Sequence, residues 1–211
     1  MAGSPDRAEA LLAWVQRHRR VVSWIVFVLL VAAGLFAWKL LSTRQSERVA
    51  SQQLNSARFA FESKNYALAA SELQRISANY SGTRSANEAL ILLAQVRLGQ
   101  GQPQQAIEVL RDVAPSAPPE YQAQAYGLLG AAYENIGHPR EAASAYQEAA
   151  NSAKMPFLRG QFLSDAGRTW LASGDTAHAR SAYLEIVAKM DSTTSAFEAK
   201  ERLGELGIDA R

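Results

Sequence analysis

Residues 21–38 form an apolar run of 18 in which Ser23 carries the only polar side chain. Nothing later in the chain resembles it, because beyond residue 42 apolar positions recur at helical spacing among polar ones. At 1.5 Å per residue the run spans roughly 27 Å, and a snorkelling Lys39 with Leu40 and Leu41 extends it to bilayer thickness. Trp24 and Trp38 stand near its two ends, where amphipathic rings prefer the membrane interface. In Leu35-Phe36-Ala37 the large residues do not suit a small-x-small cleavage site. Residues 21–41 therefore read as an uncleaved transmembrane signal anchor, preceded by a short basic tail, 1–20, with Leu11, Leu12, Trp14 and Val15 on one side of a short helix.

From Ser42 to Ser63 there is neither Gly nor Pro, so one helix is expected, with 42–49 as a stalk. Arg48, Gln52 and Gln53 face outward, while Leu54, Ala57, Phe59, Ala60 and Phe61 supply apolar positions. The clearest later pattern is Leu129-Gly130-x-x-Tyr133, the turn Ile136-Gly137-His138-Pro139, then Ala142-x-x-x-Tyr146-x-x-Ala149. In residue type and spacing it resembles the tetratricopeptide repeat, two antiparallel helices per unit. Small residues at Gly130, Ala142 and Ala149 allow close helix approach, and Leu129, Tyr133 and Tyr146 fill the space between pairs. The pattern returns with Leu90, Leu93 and Ala94 before Pro103 and Ala106, and with Ala166, Gly167 and Trp170 before Asp175 and Ala179. It is degenerate in the first unit, where Ser56-Ala57 stands for Leu-Gly. The key alanines Ala69, Ala106, Ala142 and Ala179 are 37, 36 and 37 residues apart. The expected fold is all-α: one N-terminal transmembrane helix, then a right-handed α-solenoid of about four repeats over 50–193. A capping helix over 194–207 is expected to bury Phe197, Ala199, Leu203 and Leu206 on one side.

Charge and chemistry narrow the function. The formal net charge is +2, from 22 Lys and Arg against 20 Asp and Glu. Residues 42–211 hold 17 basic and 18 acidic side chains, so the excess sits before the repeats and a nucleic-acid partner is not expected. There is no cysteine, which excludes disulfides, thiolate zinc sites and Cys nucleophiles. His138 and His178 each follow a turn, and His18 adjoins the membrane run. Glu72, Glu108, Glu148 and Glu185 recur because they occupy outward positions of equivalent helices. Phosphate-loop, His-Glu-x-x-His and Gly-x-Ser-x-Gly motifs are absent. No catalytic residue, metal site or cofactor is expected, and the chain does not read as an enzyme.

What the repeat resemblance implies is a groove lined by the first helix of each pair. On this register its residues are Leu54, Arg58, Phe61 and Glu62, then Glu88, Ile91, Gln95 and Leu98. The third unit gives Gln124, Ala131, Glu134 and Asn135, and the fourth Gln161, Ser164, Arg168 and Leu171. Repeats that clamp acidic chaperone tails carry Lys and Asn at set groove positions; here Leu54 and Arg58, or Gly127 and Ala131, stand there, so that clamp is not expected. The plan of tail, anchor, stalk and repeats over residues 17–207 resembles the family of ancillary SecYEG translocon subunits (YfgM-like) and the cell-division coordinator CpoB. That resemblance implies a single-pass protein of the bacterial inner membrane, with cytoplasmic N-terminus and periplasmic repeats. The Arg17, Arg19 and Arg20 cluster favours the same orientation. Implied partners are translocon subunits, periplasmic chaperones or exported clients through the groove, and the lipid bilayer through 21–41. A structural scaffold of an envelope machine and a cytosol-facing anchored receptor are the alternative readings. The acidic, longer tail expected of such subunits is missing.

Overall fold

The computed structural model describes Trp14 and residues 17–207, the side chains of Ile25 and Leu40 excepted. The tail positions Leu11, Leu12 and Val15 lie outside the described residues. The described elements are helices: α1 (Arg19–Glu62), α2 (Tyr66–Asn79), α3 (Arg84–Gly99), α4 (Pro103–Ser116), α5 (Gln122–Asn135), α6 (Pro139–Ser152), α7 (Pro156–Ala172), α8 (Thr176–Lys189) and α9 (Thr194–Glu205). No strand occurs among the described residues. The chain divides into two compact units, 1–46 and 47–211.

The first unit holds the apolar part of α1. By length and composition this helix is apolar enough to cross a membrane. Trp24, Phe27, Leu30, Phe36 and Trp38 are all exposed. Two of its hydroxyls are turned inward on the backbone: Ser23 Oγ donates to the Arg20 carbonyl at 2.9 Å and Thr43 Oγ1 to that of Lys39 at 2.8 Å. In hydrocarbon such internal bonds spare the cost of an unsatisfied donor.

In the second unit α2 packs on the end of α1, and α3/α4, α5/α6 and α7/α8 form three further antiparallel pairs. The turns follow the period: left-handed backbone occurs at Lys64, Gly101, Gly137 and Gly174, with φ of 59°, 69°, 73° and 82°. Glycine takes this conformation without a Cβ clash; only the degenerate first unit uses another residue. Each turn feeds a helix start. Asn65 and Asp175 cap α2 and α8 by accepting from the backbone N–H of Leu68 and His178, and Pro103 and Pro139 open α4 and α6.

At Gly130 and Gly167 the ring of the paired helix lies where a side chain would otherwise be. A Cβ on Gly130 would lie 2.7 Å from the Tyr146 ring, and one on Gly167 2.6 Å from the Tyr183 ring. Ala142, Ala149 and Ala179 are fully buried beside them. The core runs as three clusters, one over α1–α3, one over α3–α5 with Ala145 of α6, and one over α6–α9. Val109 bridges the first two and Tyr133 the last two, so successive pairs share side chains.

The last helix departs from expectation. Its buried stripe is Ala196, Ala199 and Leu203, with Leu206 half-buried, whereas Phe197 is 72% exposed. One residue is about 100° of rotation on a helix, so a stripe beginning at Ala196 turns Phe197 to the open side.

Candidate protein-binding face

Successive first helices α1, α3, α5, α7 and α9 are tied to one another by polar side chains. Arg58 on α1 forms an ion pair with Glu88 on α3, and Glu88 also accepts from Tyr121 Oη, just before α5, at 3.1 Å. Glu134 on α5 forms an ion pair with Arg168 on α7 and accepts from Tyr146 Oη at 3.2 Å; Arg168 reaches Asp165 at 3.3 Å. Ser164 on α7 donates to Glu198 on α9 at 2.7 Å. At the start of the series Glu47 on α1 accepts from the backbone N–H groups of Arg84 and Ser85 at 2.7 and 3.1 Å, capping α3 from a neighbouring helix. Every step from one first helix to the next therefore carries at least one hydrogen bond.

The charges respond to this arrangement. Hydrogen bonding to Arg168, with its positive charge, holds the Glu134 carboxyl below the usual range, and the same contact holds the Arg168 guanidinium in its charged form. Asp165 moves the other way, because burial raises it, and the carboxylates of Glu134 and Glu198 add to the effect against Arg168. Burial likewise raises the Tyr146 and Tyr183 hydroxyls. Tyr183 Oη has no hydrogen-bond partner among the described residues. It stands one period after Tyr146, and where Tyr146 finds Glu134, the equivalent residue for Tyr183 is Leu171.

A pH prediction follows. Glu134 has a lower pKa folded than unfolded, so its contribution is complete above the ordinary carboxylate pKa and fades as pH falls through the folded value. Glu134→Gln should cost less than about 1 kcal/mol at pH 7, since the pair is more than a third exposed. The difference from the parent should close under acid, read by urea denaturation at pH 7 and pH 3. Asp165, raised when folded, has the opposite sign: ionised Asp165 weakens the fold, and this penalty is relieved as pH falls through its raised value. Asp165→Asn should accordingly not destabilise at pH 7.

Of the residues expected to line the groove, three do not reach the surface: Leu54, Ile91 and Ser164. Leu54 is 3% and Ile91 2% exposed, the former packed in the α1–α3 core and the latter in the α3–α5 core. Gly127 and Ser164, at the equivalent position, are buried too, Gly127 against Phe162 and Ser164 against Glu198. That position lies in the seam between neighbouring first helices, which is why it presents nothing to a partner. Glu62, Gln124, Asn135 and Gln161 are exposed. Phe61, Gln95, Leu98, Ala131 and Leu171 are half-buried, and Arg58, Glu88, Glu134 and Arg168 are engaged in the ladder. Sequence reasoning missed the ladder partners Glu47, Tyr121, Asp165 and Glu198. The signal was a pair of complementary side chains about one repeat apart on first helices, such as Glu134 and Arg168, 34 residues apart.

Elsewhere, Tyr126, Leu129, Tyr133, Arg140, Glu141 and Glu148 border an open depression of about 480 Å³ between α5 and α6. His138 and His178 are exposed, and their rings stack on Tyr133 and Trp170, the latter at 4.8 Å. No group of three or more potential metal ligands occurs among the described residues.

Residues 49–163 match the family model for the tetratricopeptide repeat-like domain. Among solved structures, the chain is similar to MamA (residues 41 to end) of Desulfovibrio magneticus RS-1, at 19% identity and TM-score 0.54 over 68% of this chain and 76% of that one. It is also similar to a Podosopora anserina kinesin light chain with nearly identical TPR-like repeats, at 19% identity and TM-score 0.59 over 76% and 85% of the two chains. No curated protein is significantly similar in sequence. At these identities the structural likenesses carry the fold.

Proposed function

Because the chain belongs to the tetratricopeptide repeat-like domain family, whose repeats mediate protein–protein interaction, we propose that it is a membrane-anchored adaptor with its repeats on the periplasmic side. In this reading the apolar part of α1 holds the chain in the inner membrane, and the face of first helices binds polypeptide during export or folding. The observation that carries the proposal is the make-up of that face. Glu62, Gln124, Asn135 and Gln161 offer hydrogen bonds to an extended backbone, while Phe61, Leu98 and Leu171 offer shallow apolar contact. The ladder fixes the spacing of these groups, so a ligand meets a surface already ordered, which lowers the cost of binding.

Charge supports the orientation: Arg17, Arg19 and Arg20 precede the apolar run, as the positive-inside rule asks of a cytoplasmic N-terminus. The test has two parts. External protease on intact spheroplasts should remove a tag placed at Arg211; protection of the tag would reverse the orientation and leave a cytosol-facing receptor. Photo-cross-linkers at Gln124 and Gln161 should then capture translocon subunits or exported chains, and one at Ser181 on α8 should not. Capture of a single folded envelope protein instead would favour the scaffold reading. Equal capture from all three positions would remove the face from the account.

A further inference from the structure

The last helix repeats the register of the first helices before it. Leu203-Gly204 stands 37 residues after Ala166-Gly167 and 74 after Leu129-Gly130. The two earlier glycines are covered by the rings of Tyr146 and Tyr183, within 3 Å of where a Cβ would be, but a Cβ on Gly204 would meet no other element within 4 Å among the described residues. Two turns earlier on the same side of α9 lies Phe197, the most exposed large apolar side chain outside α1 among the described residues. Between them Lys200 and Glu201 are both exposed. So α9 carries on one face an uncovered ring, a pair of opposite charges and an exposed glycine with open space above it.

That face is complementary to itself when reversed. A two-fold axis between residues 200 and 201 places each Phe197 over the Gly204 of the other copy. It also sets Lys200 and Glu201 of one copy beside those of the other, so that the four charges cancel and can pair. We infer that α9 packs antiparallel against the α9 of a second copy, with each Phe197 ring filling the space at the other's Gly204. The contact repeats what the protein does at Gly130 and Gly167, where an aromatic ring covers a helix glycine of the same register. An isologous pairing of this kind closes on itself and stops at two. With one helix per copy the buried area falls below the roughly 1,000 Å² of a stable interface, so the dimer is weak and concentration-dependent. It does not rest on what binds the face of first helices.

The absence of cysteine allows a direct test on the full chain in detergent micelles. Phe197→Cys and Gly204→Cys are made separately, mixed and oxidised. In the antiparallel pair, two residues 197 sit about 10 Å apart along the axis and so do two residues 204, beyond disulfide reach, while 197 and 204 of different copies are adjacent. The mixed disulfide dimer should form at least about five times faster than either like dimer, and Phe197→Lys should weaken self-association in sedimentation equilibrium by tenfold or more. Both positions are exposed, and circular dichroism checks folding. Mixed cross-linking no faster than that of a Ser181→Cys control would overturn the inference. So would faster 197–197 cross-linking, which indicates a parallel pair, or a dimer that Phe197→Lys leaves unchanged, which would then reside in another part of the chain.

Discussion

Gly167→Ala should destabilise the repeat domain by about 2–3 kcal/mol, the upper range for overpacking a tight core, and Gly130→Ala by a similar amount. Each added methyl meets an aromatic ring at 2.6 or 2.7 Å, far inside contact distance. Neither ring can step aside: Tyr183 is fully buried and Tyr146 6% exposed, each wedged between its own helix pair and the next. Because the rings sit in the seam, the clash separates a pair rather than reorienting one side chain. The control is built into the chain. Gly204→Ala, in the same register but facing open space, should be neutral or raise stability by up to about 1 kcal/mol through helix propensity. Urea denaturation of the three variants at low protein concentration distinguishes them. Equal effects at all three positions would mean that the glycines matter only for backbone freedom.

Leu54→Glu should be at least as damaging, with a loss of about 4 kcal/mol or more. The side chain is 3% exposed, in the core cluster that holds Ala69, Ala70, Leu73, Ile76 and Leu93. A carboxylate there must enter the core unpaired or become protonated, and either is costly. Leu98→Glu, half-buried at the surface of α3, should fold with a much smaller loss. Weakened binding by the first variant would thus report unfolding, whereas weakened binding by the second would report the face itself. A thermal melt of each variant decides between the two: a cooperative Leu54→Glu protein with unchanged Tm would contradict the assignment of this residue to the core.

The period was the most legible feature of the chain. Alanines at 37-, 36- and 37-residue spacing, the Gly turns and the prolines that open α4 and α6 gave the helix pairs and their order, because each is a local requirement of close packing or of a tight turn. The binding face was less legible, for two reasons. Which side of a first helix reaches the surface depends on how far each pair rotates relative to the last; this rotation put Leu54, Ile91 and Ser164 in the seam rather than on the face. The ladder depends on side chains 30 to 38 residues apart that meet only after the pairs have stacked, as Arg58 with Glu88 and Glu47 with Ser85. In α9, a difference of one residue in the buried stripe decided whether Phe197 belonged to the core or to the solvent.

The carboxylate of Glu47 also bears on where the repeat domain can be cut. The buried core begins at Ala50, but the first residue of the second unit is the acid that seals the start of α3 more than thirty residues later. A soluble fragment beginning at residue 50 would leave the N–H groups of Arg84 and Ser85 without that acceptor, and would fray at its second pair rather than at its cut end. One beginning a few residues before Glu47 keeps the array whole. The shortest piece that behaves as the native domain is therefore set by a hydrogen bond, not by the first turn of the repeat.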